Sequence, residues 1–319
     1  MAQIAILGAT GHIAKGLIWA LLDQRPHHLT LYARHPNAVE AFLQSIDARG
    51  ENIHVLPIDE FGEADCDVVI NAIGAGDPAR LKALGSDIFR LTETFDNRVI
   101  DYIEAHTDAL YLNFSSGAVY GPGFPEPAGS TSKLKLQVNE IPASMSYAIA
   151  KLNAEAKHRA HNHLNIIDLR VFSFFSRFID LSGQFFMADL ARCAINATVL
   201  ETDDTDFIRD YVSPVDLANM VTACIEQWKA RGDSPVNCAL DFYSKKPVGK
   251  FELIEHLQSQ TALTCKIKAL ENKPSPTGTK NQYYSTFHKA AEWGFAPAYT
   301  SAEGVSIELA ALLEAEARA

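Results

Sequence analysis

Tyr147 and Lys151 stand four residues apart in the run Tyr147-Ala148-Ile149-Ala150-Lys151, a spacing that puts a phenol and an ammonium on one face of a helix. An adjacent cation lowers a phenol's pKa from about 10, so that the group can exchange a proton with a carbonyl or an alcohol near neutral pH. Upstream, Leu112-Asn113-Phe114-Ser115-Ser116-Gly117-Ala118 closes an apolar run that reads as a buried strand. A hydroxyl at Ser116 can there hydrogen-bond a substrate oxygen as its charge changes. Near the N-terminus, Gly8-Ala9-Thr10-Gly11-His12-Ile13-Ala14 follows a short strand and opens a helix. Glycines permit a tight turn and close backbone approach, and the helix N-terminus offers N–H groups and the positive end of the helix dipole; together these suit a pyrophosphate. Ala14 replaces the third glycine of that spacing and is small enough for the helix to approach the strand. Each signal is weak alone, and their order along one chain carries the weight.

The glycine turn points to a dinucleotide, with Gly8, Thr10, Gly11, His12 and Ile13 around its phosphates; His12 reads as a filler of that loop. The end of the second strand, Leu31-Tyr32-Ala33-Arg34-His35-Pro36, lacks the acid that would hold the ribose hydroxyls of NAD. Arg34 suits the 2′-phosphate of NADP instead, so NADP is expected, with NAD as the alternative; a solvent-exposed arginine is the plain reading of the same residue. Asp59, after the third strand, is expected near the adenine or as an ordinary turn acid. Ala72, Ile73 and Gly74, ending the fourth strand, are assigned to the same ligand.

These residues must be positioned by short strands alternating with amphipathic stretches. Strands are expected at 3–7, 29–32, 53–56, 68–73, 109–114 and 166–171, and helices at 15–22, 38–48, 80–106 (one long or two) and 147–161. Such alternation implies βαβ units and a parallel sheet covered on both faces. Beyond about residue 172 the regularity fades: a helix at 214–231, a strand at 236–240, a helix at 251–261, a Pro/Gly-rich loop at 273–280 and a closing helix at 302–318. No repeat or low-complexity tract is present. The expected fold is α/β, a Rossmann-like doubly wound parallel sheet over 1–171 to which 210–245 returns, with a smaller C-terminal substrate-binding region from 172–209 and 246–319.

The chain has 319 residues, 28 Lys+Arg against 39 Asp+Glu and a net charge of −11, which argues against binding nucleic acid or an anionic membrane. With 47% hydrophobic and 21% charged residues it can build a sizeable core. No apolar run approaches the ~20 residues of a membrane span, and the N-terminus does not read as a signal peptide. Five scattered cysteines without a Cys-x-x-Cys argue against a disulfide framework or a zinc site, so a cytoplasmic protein is expected.

The ordered set of glycine turn, Ser116 and Tyr147/Lys151 resembles the extended short-chain dehydrogenase/reductase family, often called NAD-dependent epimerase/dehydratase. The resemblance covers nearly the whole chain. Leu169-Arg170-Val171-Phe172 looks like the strand leading to the substrate pocket, Arg209-Asp210-Tyr211-Val212-Ser213-Pro214-Val215-Asp216-Leu217-Ala218 is similar to a family segment, and Gly294-Phe295-Ala296-Pro297 with Ser301-Ala302-Glu303-Gly304 looks like its C-terminal signature. The resemblance implies that Tyr147 is the acid/base, Lys151 its activator and a holder of the nicotinamide ribose, and Ser116 the ligand of the reacting oxygen. It implies a nucleotide-diphosphate sugar as substrate, with Arg209 on the diphosphate, and a role in surface-polysaccharide precursor synthesis. It implies a homodimer built on the helices around 90–106 and 147–161. Ser173 stands where many sugar-modifying members have Asn, and is assigned to the substrate pocket.

Gly117 and Ala118 follow Ser116 where the family's dehydratases carry an Asp-Glu pair and its epimerase/reductases a Cys, so neither of those chemistries is expected. Reduction of a 4-keto sugar by an NAD(P)-dependent oxidoreductase is the main expectation, on the strength of Arg34. A 4-epimerase with tightly bound NAD is the alternative, and a non-catalytic NADP-sensing regulator the second. No metal site is assigned: His158, His161 and His163 cluster at a helix end without a matched carboxylate and read as solvated. Phe172, Phe174, Phe175 and Phe178 read as core, Glu201–Asp206 as a solvated loop, and Arg177 and Lys280 as cations that could meet phosphates.

Overall fold

The computed structural model describes residues 2–24, 27–48, 50–75, 78–232, 234–268 and 281–318. The first half runs β1 (Gln3–Leu7), α1 (His12–Gln24), β2 (His28–Ala33), α2 (Pro36–Ser45), β3 (Ile53–Pro57), β4 (Val68–Asn71), α3 (Pro78–Leu84), α4 (Asp87–Ala105), β5 (Leu110–Ser116), α5 (Ser146–Ala160) and β6 (Asn165–Val171). The rest runs β7 (Ser173–Phe174), α6 (Phe186–Asn196), β8 (Val199–Asp203), β9 (Ile208–Arg209), β10 (Tyr211–Val212), α7 (Pro214–Ala230), β11 (Asn237–Asp241), β12 (Val248–Gly249), α8 (Lys250–Gln258), β13 (Thr264–Lys268), β14 (Gln282–Tyr283) and α9 (Ser301–Glu316).

Seven strands pair in the order β11-β6-β5-β4-β1-β2-β3, all parallel. Strand order therefore reverses between β1 and β4, which is where open α/β sheets open a crevice for a ligand. Successive side chains alternate between the faces. Ile4 and Ile6 enter one core with Leu17 and Leu21 of α1, Phe42 of α2 and Leu217 and Val221 of α7. Ala5 and Leu7 enter the other, with Val99, Ile100 and Ile103 of α4. Both faces are buried, so the strands read as continuous apolar runs. The fold is the α/β Rossmann-like sheet expected.

The 80–106 stretch is two helices, parted at Gly85, whose φ of +52° no helix can continue. A second core joins Phe175, Met187, Leu190, Leu200, Leu253, Leu257, Leu309 and Leu312. Beyond residue 172 the structure adds α6 and several two-residue strands to the elements expected there; strands so short leave no period to read. The Glu201–Asp206 run is corrected as well. Glu201 to Asp203 belong to β8, paired with β13, and Asp203 accepts from the buried Lys250 ammonium at 3.0 Å. The 273–280 loop, with Lys280, lies outside the described residues. Among the described residues no helix is long and apolar enough to cross a membrane.

One buried polar network ties α4 and α5 to the sheet. His158, fully buried on α5, lies between Asp96 of α4 (2.7 Å) and Asp168 of β6 (2.8 Å). Tyr111 of β5 donates to Asp96, Asn113 to Asp168, and Lys157 and Arg159 close the outer oxygens at 2.6 and 2.9 Å. The solvated reading of His158 is thereby overturned: a buried imidazole is stable here because two carboxylates face it. Burial alone would push His158 down, but Asp168 and Asp96 outweigh it and raise the group from 6.5 to about 9. Burial pushes Asp96 up, and His158 with Lys157 outweighs that and holds it at about 2.

A raised histidine stabilises the fold below its unfolded pKa of 6.5, and that stability is lost as pH climbs through about 9. The lowered Asp96 stabilises above 3.8, and its contribution is lost as pH falls towards about 2. Urea unfolding should therefore lose on the order of 3 kcal/mol between pH 6.5 and 9. His158→Gln should destabilise the protein at neutral pH and flatten this alkaline slope. An unchanged slope in the variant would show that His158 is not the titrating group.

Candidate active site

The site is assembled at the C-terminal ends of β1, β4 and β5. β5 ends on Ser116, whose Oγ accepts from the Ala118 N–H at 3.2 Å and so turns the chain into the one-turn 3-10 helix Gly117–Tyr120. α5 lays its polar stripe against that strand end. Tyr147 shares a hydrogen bond with Ser116, and Lys151, buried, donates to the Phe114 carbonyl at 2.7 Å. Glu155, one turn further, accepts from Ser115 and from Arg170. The structure thus brings together Ser116, Tyr147 and Lys151.

Their electrostatics depart from the sequence expectation in one respect. Burial raises the Tyr147 phenol above 10, and the Ser116 hydrogen bond offsets only part of that. The Lys151 ammonium is turned onto the Phe114 carbonyl. Burial lowers Lys151, and the carboxylates of Asp96, Asp168 and Glu155 oppose that and favour its charged form.

A third group, missed in the sequence, completes the cluster. Tyr283 of β14 is buried with its hydroxyl 3.2 Å from Ser116 Oγ, so two phenols flank one serine. Its ring packs on Phe124 and Phe172, and the Arg209 guanidinium lies 5.7 Å from its centre and 4.4 Å from that of Phe207. Arg209 is half-buried on β9 in register with Tyr283. Nothing periodic marks Gln282-Tyr283-Tyr284; a short aromatic run was the sole hint.

The glycine turn fits a dinucleotide. Gly8 has φ of +81°, and a Cβ there would lie 3.1 Å from the Ile73 nitrogen and 3.2 Å from the Ala72 carbonyl carbon. The chain after β4 thus leaves no room for a side chain at position 8, and the positive φ favours glycine there as well. Gly11, Thr10, His12 and Ile13 lead into α1, whose first N–H groups have no upstream helical carbonyl to meet. Gly74 lies beside Lys151: a Cβ there would sit 3.9 Å from the ammonium nitrogen. His12 turns away from a pure filler role. It packs edge-on against Phe174 at 5.1 Å and bonds the Ser176 backbone, while its buried Nε2 has no protein partner. Burial holds it at about 4, hence neutral at pH 7.

Other predicted residues are more dispersed. Arg34 is exposed just past β2, and no ion pair engages it among the described residues. Asp59 is exposed in the turn after β3, 4.0 Å from Arg98, which itself binds the carbonyls of Ile58, Asp59 and Phe61. Ser173 is half-buried on β7, strung between Phe172, packed on Gly117, and Phe174, packed on His12. Arg177 clamps Glu308 of α9 through two 2.9 Å bonds and lies 4.2 Å over Trp19. The aromatic run is core, as expected: Phe175 in the second core, Phe172 against Phe124 and Tyr283, and Phe174 and Phe178 against the sheet core.

A strand reversal carrying a glycine turn, with a Ser–Tyr–Lys cluster on the neighbouring strand end, defines a dinucleotide-dependent enzyme fold. The chain belongs to the NAD dependent epimerase/dehydratase family, whose sequence profile matches residues 4–239. No curated protein sequence matches it significantly. Among solved structures it is similar to UDP-glucose-4-epimerase from Stenotrophomonas maltophila, with bound NAD and formylated UDP-arabinopyranose: 15% identity, TM-score 0.81, 100% of this chain and 99% of that one. It is similar to UDP-glucose 4-epimerase from Bifidobacterium longum, in complex with NAD+ and UDP: 18% identity, TM-score 0.74, 99% and 98% covered. It is also similar to UDP-N-acetylglucosamine 4-epimerase from Methanobrevibacter ruminantium: 15% identity, TM-score 0.74, 98% of each chain. At these identities the likeness establishes the fold.

Gly117 has a local steric cause. A Cβ there would lie 2.4 Å from the Phe172 ring. Gly117→Ala should lower the urea midpoint by the equivalent of about 1–3 kcal/mol, the usual range for overpacking. Pairing it with Phe172→Leu should restore most of the loss; no recovery would place the strain elsewhere.

Proposed function

We propose that the protein is a nucleotide-diphosphate-sugar 4-epimerase that retains its NAD. The observation that carries this reading is the Ser116–Tyr147 pair at the end of β5, followed by Gly117 and Ala118, where Phe172 fills the space a side chain at 117 would need. Gly117 and Ala118 add no acid or base beside this pair. That matches hydride chemistry at a single alcohol carbon and leaves out elimination, which needs further acid and base groups. The family, and relatives of this fold solved with NAD and UDP-sugars, favour epimerisation over the 4-keto reduction.

When bound, the nicotinamide supplies the hydride acceptor and donor. Ser116 holds the reacting sugar oxygen, and Tyr147 takes its proton and returns it. Lys151, whose charged form Asp96, Asp168 and Glu155 favour against burial, serves as the activator of that phenol and holds the nicotinamide ribose. The turn at Gly8–Ile13, with Ala72–Gly74, holds the dinucleotide; Arg209 and Ser173 face the substrate, in a substrate-binding part formed by 172–209 and 246–319. Asp59 lies on the adenine side. A homodimer through α4 and α5 and a cytoplasmic setting complete the reading.

The second reading is the NADP-dependent reductase, and Arg34 favours it: an exposed guanidinium at the end of β2 is placed to meet a 2′-phosphate. Denaturing the purified protein and assaying what it releases separates the two. Retained NAD is expected. Exchangeable NADPH with no retained NAD, and a preference moved towards NADH by Arg34→Asp, would overturn the epimerase. No dinucleotide binding at all would overturn both.

Tyr147→Phe should cut turnover of a UDP-hexose by at least a hundredfold while leaving NAD content unchanged. Because burial raises Tyr147, its base form grows with pH, so kcat/KM should keep rising across the alkaline range in the wild type. Retained activity in the phenylalanine variant would remove Tyr147 from the mechanism.

A further inference from the structure

The helix-end histidines acquire in the structure the carboxylate that their sequence neighbourhood lacks. Glu104, in the last turn of α4, meets His161, which caps α5, and His163, in the turn that follows. One donor atom from each lies within 4.8 Å of the others, and His161 Nδ1 is 3.4 Å from Glu104 Oε1. A tetrahedral site with bonds of about 2.0–2.1 Å has donor–donor edges of about 3.3–3.5 Å. One edge is therefore already at its length, and the others close through about 1 Å of rotamer movement by the exposed Glu104 and His163.

We propose that Glu104, His161 and His163 form a binding site for a divalent transition metal of the zinc class, which clips the C-terminal ends of α4 and α5 together. Two imidazoles and a carboxylate suit zinc, nickel or copper in preference to magnesium or calcium, which take oxygen ligands. Solvent completes the coordination on the exposed side. The C-termini of a 19-residue and a 15-residue helix converge on the site, and their dipoles favour a cation there. The basic side chains of the α5 end do not compete, since Lys157 is held by Asp96 and Arg159 by Asp168.

The scaffold is preorganised. The Asn237 amide binds the carbonyls of His158, His161 and Leu164 at 3.0, 3.0 and 3.3 Å, which fixes the turn that presents both histidines. Asn165 binds the Thr107 carbonyl at 3.0 Å and so ties that turn to the end of α4. Asn165 also accepts from the Val236 N–H, and Leu164 is buried. Rigid ligands lose little entropy on binding, which raises affinity. The site lies at the opposite end of β5 and β6 from Ser116, so it is independent of the catalytic reading.

The test uses the full chain without a histidine tag, stripped with EDTA and titrated with Zn2+ by calorimetry at pH 7.5. One Zn2+ per chain with a Kd in the micromolar range or tighter is expected, with a rise in Tm. His163→Ala and Glu104→Gln, both at exposed positions, should each weaken binding at least tenfold and abolish the rise in Tm, while His54→Ala leaves both unchanged. Co2+ should give visible d–d bands without a thiolate charge-transfer band. Wild-type affinity in both variants, substoichiometric binding, or a thiolate band from the cysteines would overturn the site.

Discussion

The buried polar stripe of α5 is the constraint on which the rest of the site depends. Tyr147, Lys151, Glu155 and His158 recur at helical spacing and turn the same face to the sheet. Three of them can carry charge in a place with little water, and buried charge is tolerated only when it is paired. Each finds a fixed partner: Ser116, the Phe114 carbonyl, Ser115 with Arg170, and Asp96 with Asp168. Sliding the helix by one residue would unpair all of them at once. The helix therefore docks in a single register, and the phenol is held against the serine by bonds made up to three turns away. Ala148, Ala150 and Ala154 between the polar positions are small enough to let the helix lie close.

A second polar chain brings the C-terminal segment to the same place. Arg170 joins Glu155 to Tyr120 and Asp241, and Ser285 donates to Asp241. Asp241 ends β11, so the edge of the sheet, the turn after Ser116 and the segment around Tyr283 are fastened to one carboxylate. Burial raises Asp241 above the usual carboxylate range, and Ser285, Arg170 and Tyr120 oppose that rise. This is how a residue from the far end of the chain reaches Ser116: Tyr283 arrives on β14, beside Arg209, two residues before Ser285.

The sequence expectations that failed share a physical origin. His158 was read as solvated because helix-end histidines usually are; Asp96 lies 62 residues away and Asp168 follows on the next strand. The direction of Arg177 is open in the sequence; Glu308, 131 residues on, fixes it. The acidic run at 201–206 was read as loop because charges dominate it; β13 supplies the backbone pairing that makes part of it a strand. In each case the deciding partners lie on other elements, and local pattern carries no record of them.

Part of this molecule follows from local chemistry alone. Apolar strands alternating with amphipathic helices required a covered parallel sheet, the Gly8–Gly11 spacing required a tight turn at the first helix, and the Tyr147–Lys151 spacing required a shared helix face. These follow from backbone sterics and helical period, which each stretch of chain obeys alone. Packing between separate elements is what rests Lys151 on the Phe114 carbonyl, brings Tyr283 to Ser116, and sets Glu104 against two histidines across the α4–α5 contact. Those pairings arise from satisfying buried polar groups between elements that loops bring together, and the free energy that selects them belongs to the packed pair rather than to either segment.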